Sequence, residues 1–174
     1  SDPHAMVAIL PADHWITDEA GFRASLDVAF RLASVPGRIV TIGIVPTQPA
    51  TGYGYLQLDG EEDERGVPLR AFIEKPGAAE AARMVATGGY LWNAGMFVGR
   101  AQTLLDEIAR QMPQGGKALA RIASAIGSDD YDRVLAEQYG NCEAISIDYG
   151  VMEQASDVWA VPGRFGWSDV GSWD

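Results

Sequence analysis

Polar residues that can bind a ligand follow the ends of several predicted strands. Asp13 follows the first apolar run of the chain, and the pair Glu74 and Lys75 follows a later one. Asp169 lies near the C-terminus. In open parallel sheets, ligands bind beyond the carboxyl ends of the strands. A single aspartate after a strand is more often a turn former or a helix cap. The shared placement of these residues nevertheless predicts one binding site.

Two short segments carry features suited to ligand contact. The chain has two lysines against eleven arginines, and one lysine, Lys75, stands where a compact ammonium suits a phosphate oxygen. A surface salt bridge to a neighbouring acid explains Lys75 equally well. In Gly52-Tyr53-Gly54, the glycines would let the main chain approach a ligand closely, and the tyrosine ring would enclose the ligand. A strand entry with two glycine bends is the alternative.

The composition excludes several functional classes. The 174 residues carry 13 Lys and Arg against 24 Asp and Glu, a net charge of −11, which disfavours nucleic acid and membrane surfaces as partners. The single cysteine cannot form an internal disulfide, and no zinc-type spacing occurs. Apolar runs fall short of the roughly 20 residues of a spanning helix. We expect a cytoplasmic protein whose metal, if it binds one, is a hard, oxygen-liganded ion.

The elements that must position these residues alternate between strands and helices. An apolar run at 7–10, a helix from a Thr17 cap to Ala33 and a β-branched run at 39–45 form a strand-helix-strand unit. Such a unit is typical of an α/β domain with a parallel sheet. Further extended segments are predicted at 53–60, 67–73, 90–98, 143–147 and 157–161, and helices at 78–86, 101–111, 117–126 and 129–138.

Six motifs in this order resemble those of bacterial mannose-1-phosphate guanylyltransferases and extend over residues 7–174. They are LPADH at 10–14, TGYGY at 51–55, FIEKP at 72–76, WNAGMF at 92–97, SIDYGVME at 146–153 and GWSDVGSW at 166–173. The resemblance implies a nucleotide-diphospho-sugar transferase fold, a Rossmann-like mixed sheet flanked by helices. It implies transfer of GMP from GTP to mannose 1-phosphate, giving GDP-mannose and pyrophosphate.

The same resemblance implies roles for individual residues. Asp13 and Asp169 would be catalytic carboxylates that bind Mg²⁺ as the cofactor. Lys75 would be catalytic and meet the sugar phosphate. The substrate-binding residues implied in this way are Gly52, Tyr53, Gly54, Glu74, Lys75, Asn93 and Asp148, with Tyr149 shaping the same pocket.

The family's Gly-rich nucleotide-binding loop, of the form GGxGxRLxP, does not occur in residues 1–174. We therefore expect an N-terminally truncated domain, with residues 7–174 as its sugar- and metal-binding part and residues 1–6 as an expression scar. Without a main-chain cradle for the triphosphate, we expect little or no transferase activity from this chain alone. The sheet edges exposed by truncation predict a homodimer.

Two other functions stay open from the sequence. One is transfer of a nucleotide to another sugar 1-phosphate, such as glucose 1-phosphate. The other is binding of a sugar nucleotide without catalysis. Comparing GTP, ATP, UTP and dTTP as substrates tests the first, and binding without turnover identifies the second.

Overall fold

The computed structural model describes residue 2 and residues 4–171. Its strands are β1 (Met6–Ile9), β2 (Trp15–Ile16), β3 (Ile39–Ile44), β4 (Tyr55–Leu58), β5 (Val67–Ile73), β6 (Tyr90–Arg100), β7 (Val158–Gly163) and β8 (Trp167–Ser168). Its helices are α1 (Glu19–Ala33), α2 (Ala78–Thr87), α3 (Ala101–Gln111), α4 (Pro113–Ala125) and α5 (Tyr131–Tyr139), and a π-helical turn covers Asp148–Met152. Within this described part of the chain, no helix combines the length and the apolar character needed to cross a membrane.

The main sheet contains six strands in the order β1, β6, β3, β7, β5, β4, and β2 pairs with β8 separately. β6 lies between β1 and β3 and pairs antiparallel with both, so that Val98 stands opposite Ala8 on one side and Val40 on the other. β3 pairs parallel with β7. The sequence predicts a parallel sheet from the first strand-helix-strand unit, and this prediction is wrong. β1 and β3 do not pair with each other, because β6 inserts between them and is antiparallel to both. The mixed sheet implied by the resemblance is confirmed.

Helix α1 covers one face of the sheet. Its N-cap is Asp18, whose carboxylate accepts the Gly21 amide at 3.0 Å, so the predicted Thr17 cap is wrong by one residue. On its inner side, Ala29 and Ala33 are fully buried in the cluster that α1 forms with β3 and β6. Small residues at these positions allow the helix to lie close to the sheet.

The opposite face is covered by α3 and the π-helical turn. Leu104 of α3 and Val151 and Met152 of the turn pack in one cluster with Ile39 of β3 and Phe97 of β6. Burial on both faces explains why β3 is apolar almost throughout. The α/β class, with a mixed sheet flanked by helices, is confirmed.

The segment 143–147 is not the predicted strand. The Glu143 carboxylate accepts the backbone amides of Gln114 at 3.0 Å and Gly115 at 2.6 Å, at the start of α4. This contact satisfies amides that a helix start leaves free, and Pro113 suits the first turn, so α4 begins before the predicted residue 117. From this cap the chain enters the π-helical turn, whose first residue is Asp148.

Candidate active site

A cleft of about 250 Å³ opens where five segments of the chain meet. These segments are the turn between β1 and β2, the loop before β4, the loop after β5, the middle of β6 and the region of β8. The residues that line this space, called the cleft below, are Pro11, His14, Gly52, Tyr53, Gly54, Glu74, Lys75, Asn93, Ala94, Gly95, Trp167 and Asp169.

The cleft collects seven of the nine residues predicted for the site, namely Gly52, Tyr53, Gly54, Glu74, Lys75, Asn93 and Asp169. The other two lie beside it. Asp148 does not line the cleft but accepts a hydrogen bond from Asn93 Nδ2 at 2.9 Å. Asp13 is exposed on the turn between two lining residues, Pro11 and His14. Tyr149 is 43% exposed and lies outside the lining. Positions 172 and 173 of the last motif lie outside the described residues.

A bulge in β6 changes the direction in which Asn93 points. Thr41 stands opposite Phe97 and Gly43 opposite Asn93, so a step of two residues in β3 matches a step of four in β6. The additional residues include Gly95, whose φ of 66° lies in the left-handed region that favours glycine. Bulges of this kind occur beside active sites, where they redirect a side chain. Here the bulge places Asn93, Ala94 and Gly95 together in the cleft wall.

The Asn93 amide has three hydrogen-bond partners. Its Oδ1 accepts from the Thr41 hydroxyl and from the Gly95 backbone amide, both at 3.1 Å. Its Nδ2 donates to Oδ1 of Asp148. A backbone amide can only donate and an ionised carboxylate can only accept, so the orientation of the Asn93 amide is fixed by its partners.

Glu74 brings a buried carboxylate into the cleft. Its side chain is 8% exposed, and its Oε2 has no hydrogen-bond partner among the residues described. Burial raises the pKa of Glu74, and the charge of Asp148 raises it further. The Lys75 ammonium, 3.5 Å from Oε1, lowers the pKa of Glu74, and Glu153 raises it slightly. Because a buried acceptor without a donor costs free energy, Oε2 is suited to a ligand hydroxyl.

Lys75 adopts a left-handed backbone conformation with φ of 45°. For residues other than glycine this conformation costs about 1 kcal/mol, and it is found mainly at functional sites. The Lys75 side chain is 56% exposed although its Nζ pairs with Glu74. The salt bridge that the sequence offered as an alternative to a phosphate contact is present, and Lys75 also lines the cleft. In the described part of the chain, no other Lys or Arg lines the cleft.

Tyr53 holds an acidic side chain of the cleft. Its hydroxyl donates to Oδ1 of Asp169 at 2.9 Å, and its ring meets Trp92 and Trp167 edge to face, with centroids 4.9 and 5.4 Å apart. Burial raises the pKa of Tyr53 to about 12, with a further contribution from Asp169. The hydroxyl therefore keeps its proton at neutral pH and remains a donor.

Trp167 also orients His14. Its indole Nε1 donates to His14 Nδ1 at 3.0 Å, and the two rings meet edge to face at 5.2 Å. Burial lowers the pKa of His14, against the opposing charges of Asp13 and Asp169. A neutral imidazole that accepts at Nδ1 carries its proton on Nε2. His14 therefore offers a donor at Nε2.

Asp13 and Asp169 are candidate oxygen ligands for a divalent cation. Oδ1 of Asp169 accepts from Tyr53 and from the Gly171 amide at 3.2 Å, and Oδ2 accepts no hydrogen bond from the residues that the structure describes. Across residues 2 and 4–171, His, Cys, Asp and Glu form no cluster of three or more that would hold a metal alone. Two carboxylates, completed by phosphate or water oxygens, fit Mg²⁺ rather than Zn²⁺.

The two glycines of the Gly52-Tyr53-Gly54 segment differ in their surroundings. A Cβ at Gly54 would collide with Oε2 of Glu74 and lie 3.4 Å from the Asn93 Cβ. A Cβ at Gly52 would meet nothing within 4 Å. A side chain at position 54 would therefore displace the Glu74 carboxylate, whereas one at position 52 would displace nothing.

Sequence reasoning missed Thr41 and the role of Trp167. Thr41 stands in an almost continuously apolar run, IVTIGIV at 39–45, and this pattern predicts only a buried strand. The available signal was chemical, since a hydroxyl within a buried strand needs a hydrogen-bond partner. The contact between Trp167 and His14 joins positions 153 residues apart, and neither position indicates the other.

Comparisons with known proteins show what the whole chain is similar to. The chain is 42% identical over 178 residues to mannose-1-phosphate guanylyltransferase of Escherichia coli K12, covering 99% of this chain and 37% of that protein. It is 39% identical to ManC of Salmonella typhimurium, another mannose-1-phosphate guanylyltransferase, with the same coverage. The chain thus spans little more than a third of the length of these relatives.

A solved structure and a family model also match this chain. The crystal structure described as mannose-1-phosphate geranyltransferase from Thermus thermophilus superposes with a TM-score of 0.86 at 38% identity, covering 97% of this chain and 47% of that one. The family model described as nucleotidyl transferase matches residues 1–174. The chain therefore belongs to the nucleotidyl transferase family.

Proposed function

We propose that this chain forms the sugar- and metal-binding part of a mannose-1-phosphate guanylyltransferase. The observation that carries the proposal is the combination of a buried acceptor at Glu74, a donor at Asn93 and an ammonium at Lys75 beside the Asp169 carboxylate. A sugar 1-phosphate offers hydroxyls to the first two and a phosphate to the ammonium, and Asp169 would hold a cation for that phosphate. The names of the Escherichia coli and Salmonella relatives support mannose 1-phosphate and a guanylyl group as the reactants.

In the proposed reaction, a phosphate oxygen of mannose 1-phosphate attacks the α-phosphorus of GTP. A bond forms between that oxygen and the α-phosphorus, and the bond from the α-phosphorus to the oxygen bridging to the β-phosphate breaks. Pyrophosphate leaves, and GDP-mannose is the other product. Reactions of this class depend mainly on positioning and on screening of charge. The proposed task of this chain is therefore to hold the attacking phosphate in place.

Four cleft residues have a task in this proposal. Oε2 of Glu74 accepts a hydrogen bond from a sugar hydroxyl, and the Lys75 ammonium pairs with the sugar phosphate. The N–H group at Nε2 of His14 can donate a hydrogen bond to a phosphate oxygen. The Gly54 backbone leaves room for the Glu74 carboxylate beside the sugar. These contacts orient the ligand without a covalent intermediate.

The charge of the cleft favours a metal ion as the partner of the phosphate. Glu74 and Asp169 line the cleft with one lysine, so a phosphorylated ligand meets at least as much negative as positive charge. Asp169, together with Asp13, would hold Mg²⁺, and Tyr53 keeps Oδ1 of Asp169 in place. When bound, Mg²⁺ screens the negative charge of the phosphate oxygens.

Ligand binding to the 174-residue chain is the first test. Calorimetric titration with mannose 1-phosphate and with GDP-mannose should show binding that weakens when Mg²⁺ is removed. Asp169→Ala should abolish the Mg²⁺ dependence, and Asp27→Ala, which changes an exposed acid on α1, should preserve it. If neither ligand binds to the unaltered chain, the proposal is wrong.

Group transfer is tested in a chimera in which this chain replaces the matched stretch of the Escherichia coli relative. The chimera should make GDP-mannose from GTP and mannose 1-phosphate, with lower rates for ATP, UTP and dTTP. A preference for glucose 1-phosphate would favour a different sugar specificity. Binding without turnover would favour a non-catalytic module.

A further inference from the structure

We propose that Thr41 is a positioning residue for the ligand site and acts through the Asn93 amide. Thr41 is fully buried in β3 and does not line the cleft. Its hydroxyl donates to Asn93 Oδ1 at 3.1 Å. The identity of the ligand, mannose 1-phosphate, rests on the proposed function, whereas the contact between Thr41 and Asn93 does not.

The two hydrogen bonds that Asn93 Oδ1 accepts determine what Asn93 can offer to a ligand. A carbonyl oxygen has two lone pairs, and here the Thr41 hydroxyl and the Gly95 amide occupy both. One hydrogen of Nδ2 is used by Asp148. The second hydrogen of Nδ2 has no acceptor among the described residues. Asn93 is therefore a donor to the ligand and cannot accept from it.

This orientation complements the buried carboxylate of Glu74. Oε2 of Glu74 can only accept while the carboxyl is ionised, and Asn93 can only donate. Glu74 and Asn93 thus present one acceptor and one donor, which suits sugar hydroxyls of which one donates and another accepts. If the Asn93 amide rotated by half a turn, it would present an oxygen instead and lose this complementarity. The Gly95 amide and the Asp148 carboxylate oppose that rotation, and the Thr41 hydroxyl holds the amide oxygen in place by its hydrogen bond.

The burial of Thr41 supports a specific task for its hydroxyl. Its neighbours on the same face of the sheet, Ile39 of β3 and Phe97 of β6, are apolar and buried. Valine has nearly the same shape as threonine and would suit this environment without a hydroxyl to satisfy. The hydroxyl of Thr41 instead contacts Asn93, a residue of the cleft wall. Asp148 has a related role, because it receives an Asn93 hydrogen and does not itself line the cleft.

The test compares Thr41→Val, which removes the hydroxyl at nearly constant shape, with Thr41→Ser, which keeps it. Thr103→Val is the matched control, because Thr103 is also a buried threonine but lies on α3 away from the cleft. Calorimetry with mannose 1-phosphate and Mg²⁺ measures affinity. The ¹⁵N–¹H signals of the Asn93 side-chain amide report its hydrogen bonds without a ligand. Thr41→Ala replaces Thr41→Val if the valine variant does not fold.

Thr41→Val should weaken binding by about fivefold to tenfold, the effect of losing one net hydrogen bond. It should also shift the Asn93 side-chain amide signals. Thr41→Ser should restore both properties, and Thr103→Val should change neither. Unchanged affinity and unchanged Asn93 signals in Thr41→Val would overturn the proposal, as would an equal loss of affinity in Thr103→Val.

The outcomes for the ligand and for Thr41 are distinguishable. If the unaltered chain does not bind mannose 1-phosphate, the proposed function fails. The amide signals then decide the role of Thr41 alone. Asn93 signals that shift in Thr41→Val and return in Thr41→Ser support the positioning role, and signals that are the same in all variants refute it.

Discussion

The Tyr53 hydroxyl donates a hydrogen bond of 2.9 Å to Oδ1 of Asp169 and thereby joins two motifs 116 residues apart. Tyr53 is predicted to bind substrate; it lines the cleft, and its hydroxyl holds a candidate metal ligand. Two tryptophans pack against its ring, so its position is constrained from the apolar side as well. The cleft therefore contains a carboxylate with one oxygen held and the other without a hydrogen bond from the described residues.

Tyr53→Phe should raise the Mg²⁺ concentration needed for half-maximal binding of GDP-mannose. Loss of one net hydrogen bond, about 1 kcal/mol, corresponds to about a fivefold increase. Calorimetric titrations at a series of Mg²⁺ concentrations measure this value. Tyr55→Phe is the control, because the fully buried Tyr55 donates to the Ala50 carbonyl at 2.9 Å and not to Asp169. An equal effect of both substitutions would contradict a specific role for Tyr53.

Alanine substitutions at the two neighbouring glycines should have different effects. Gly54→Ala should reduce ligand affinity by about tenfold or more and destabilise the fold by about 1–3 kcal/mol, because its Cβ displaces the buried Glu74 carboxylate. Gly52→Ala should leave both quantities nearly unchanged, since its Cβ enters open space. Urea unfolding and calorimetry on the two variants test this. A tolerant Gly54→Ala would show that Glu74 can move without loss of function.

The residues that line the cleft could be predicted from the sequence to a large extent. Glu74 and Asp169 follow strands, and strand ends converge in α/β sheets, whereas Gly52 precedes β4 and Asn93 lies within β6. The strand order could not be predicted in the same way. Insertion of β6 between β1 and β3 depends on pairing between distant segments, and the apolar pattern of each strand is compatible with several neighbours.

The orientation of side chains within the site also lay beyond the sequence. The motif around Asn93 predicts an amide that both donates and accepts. The β6 bulge turns that amide so that its oxygen is occupied by Thr41 and Gly95. A bulge of this kind arises from register between strands, which local propensity does not determine. Residue types therefore indicated the place of the site, and tertiary contacts determined what each residue presents to a ligand.

Glu74→Gln should change the pH dependence of stability. The pKa of Glu74 is raised above its ordinary value of 4.5, mainly by burial. Well below pH 4.5 the carboxyl is protonated in both the folded and the unfolded chain, so its ionisation does not affect the stability of the fold there. As the pH rises through the raised pKa, ionisation costs more in the folded chain, so the unaltered protein loses stability. Glutamine does not ionise and avoids this loss.

The free energy of unfolding of Glu74→Gln minus that of the unaltered chain should therefore be larger at about pH 7 than at about pH 4. Urea titrations at both pH values measure the difference. Glu61→Gln is the matched control, because Glu61 is exposed on the acidic turn between β4 and β5. A relative stability of Glu74→Gln that does not change with pH would contradict the raised pKa.

Substitution of Lys75 should separate the stability of the fold from ligand binding. Lys75 holds φ at 45°, a conformation that glycine adopts without a Cβ penalty. Lys75→Gly and Lys75→Ala both remove the ammonium and its contact with Glu74, and they differ in backbone strain and in the entropy of the unfolded chain. Lys75→Gly should be more stable than Lys75→Ala by about 1 kcal/mol in urea unfolding.

Both variants should bind mannose 1-phosphate at least tenfold more weakly than the unaltered chain. Among the described residues, Lys75 is the one Lys or Arg that lines the cleft, so each variant loses the cation that would pair with the phosphate. Equal stability of the two variants would mean that the strained backbone is not imposed by its surroundings. Unchanged binding of mannose 1-phosphate in either variant would show that the Lys75 ammonium does not contact the phosphate.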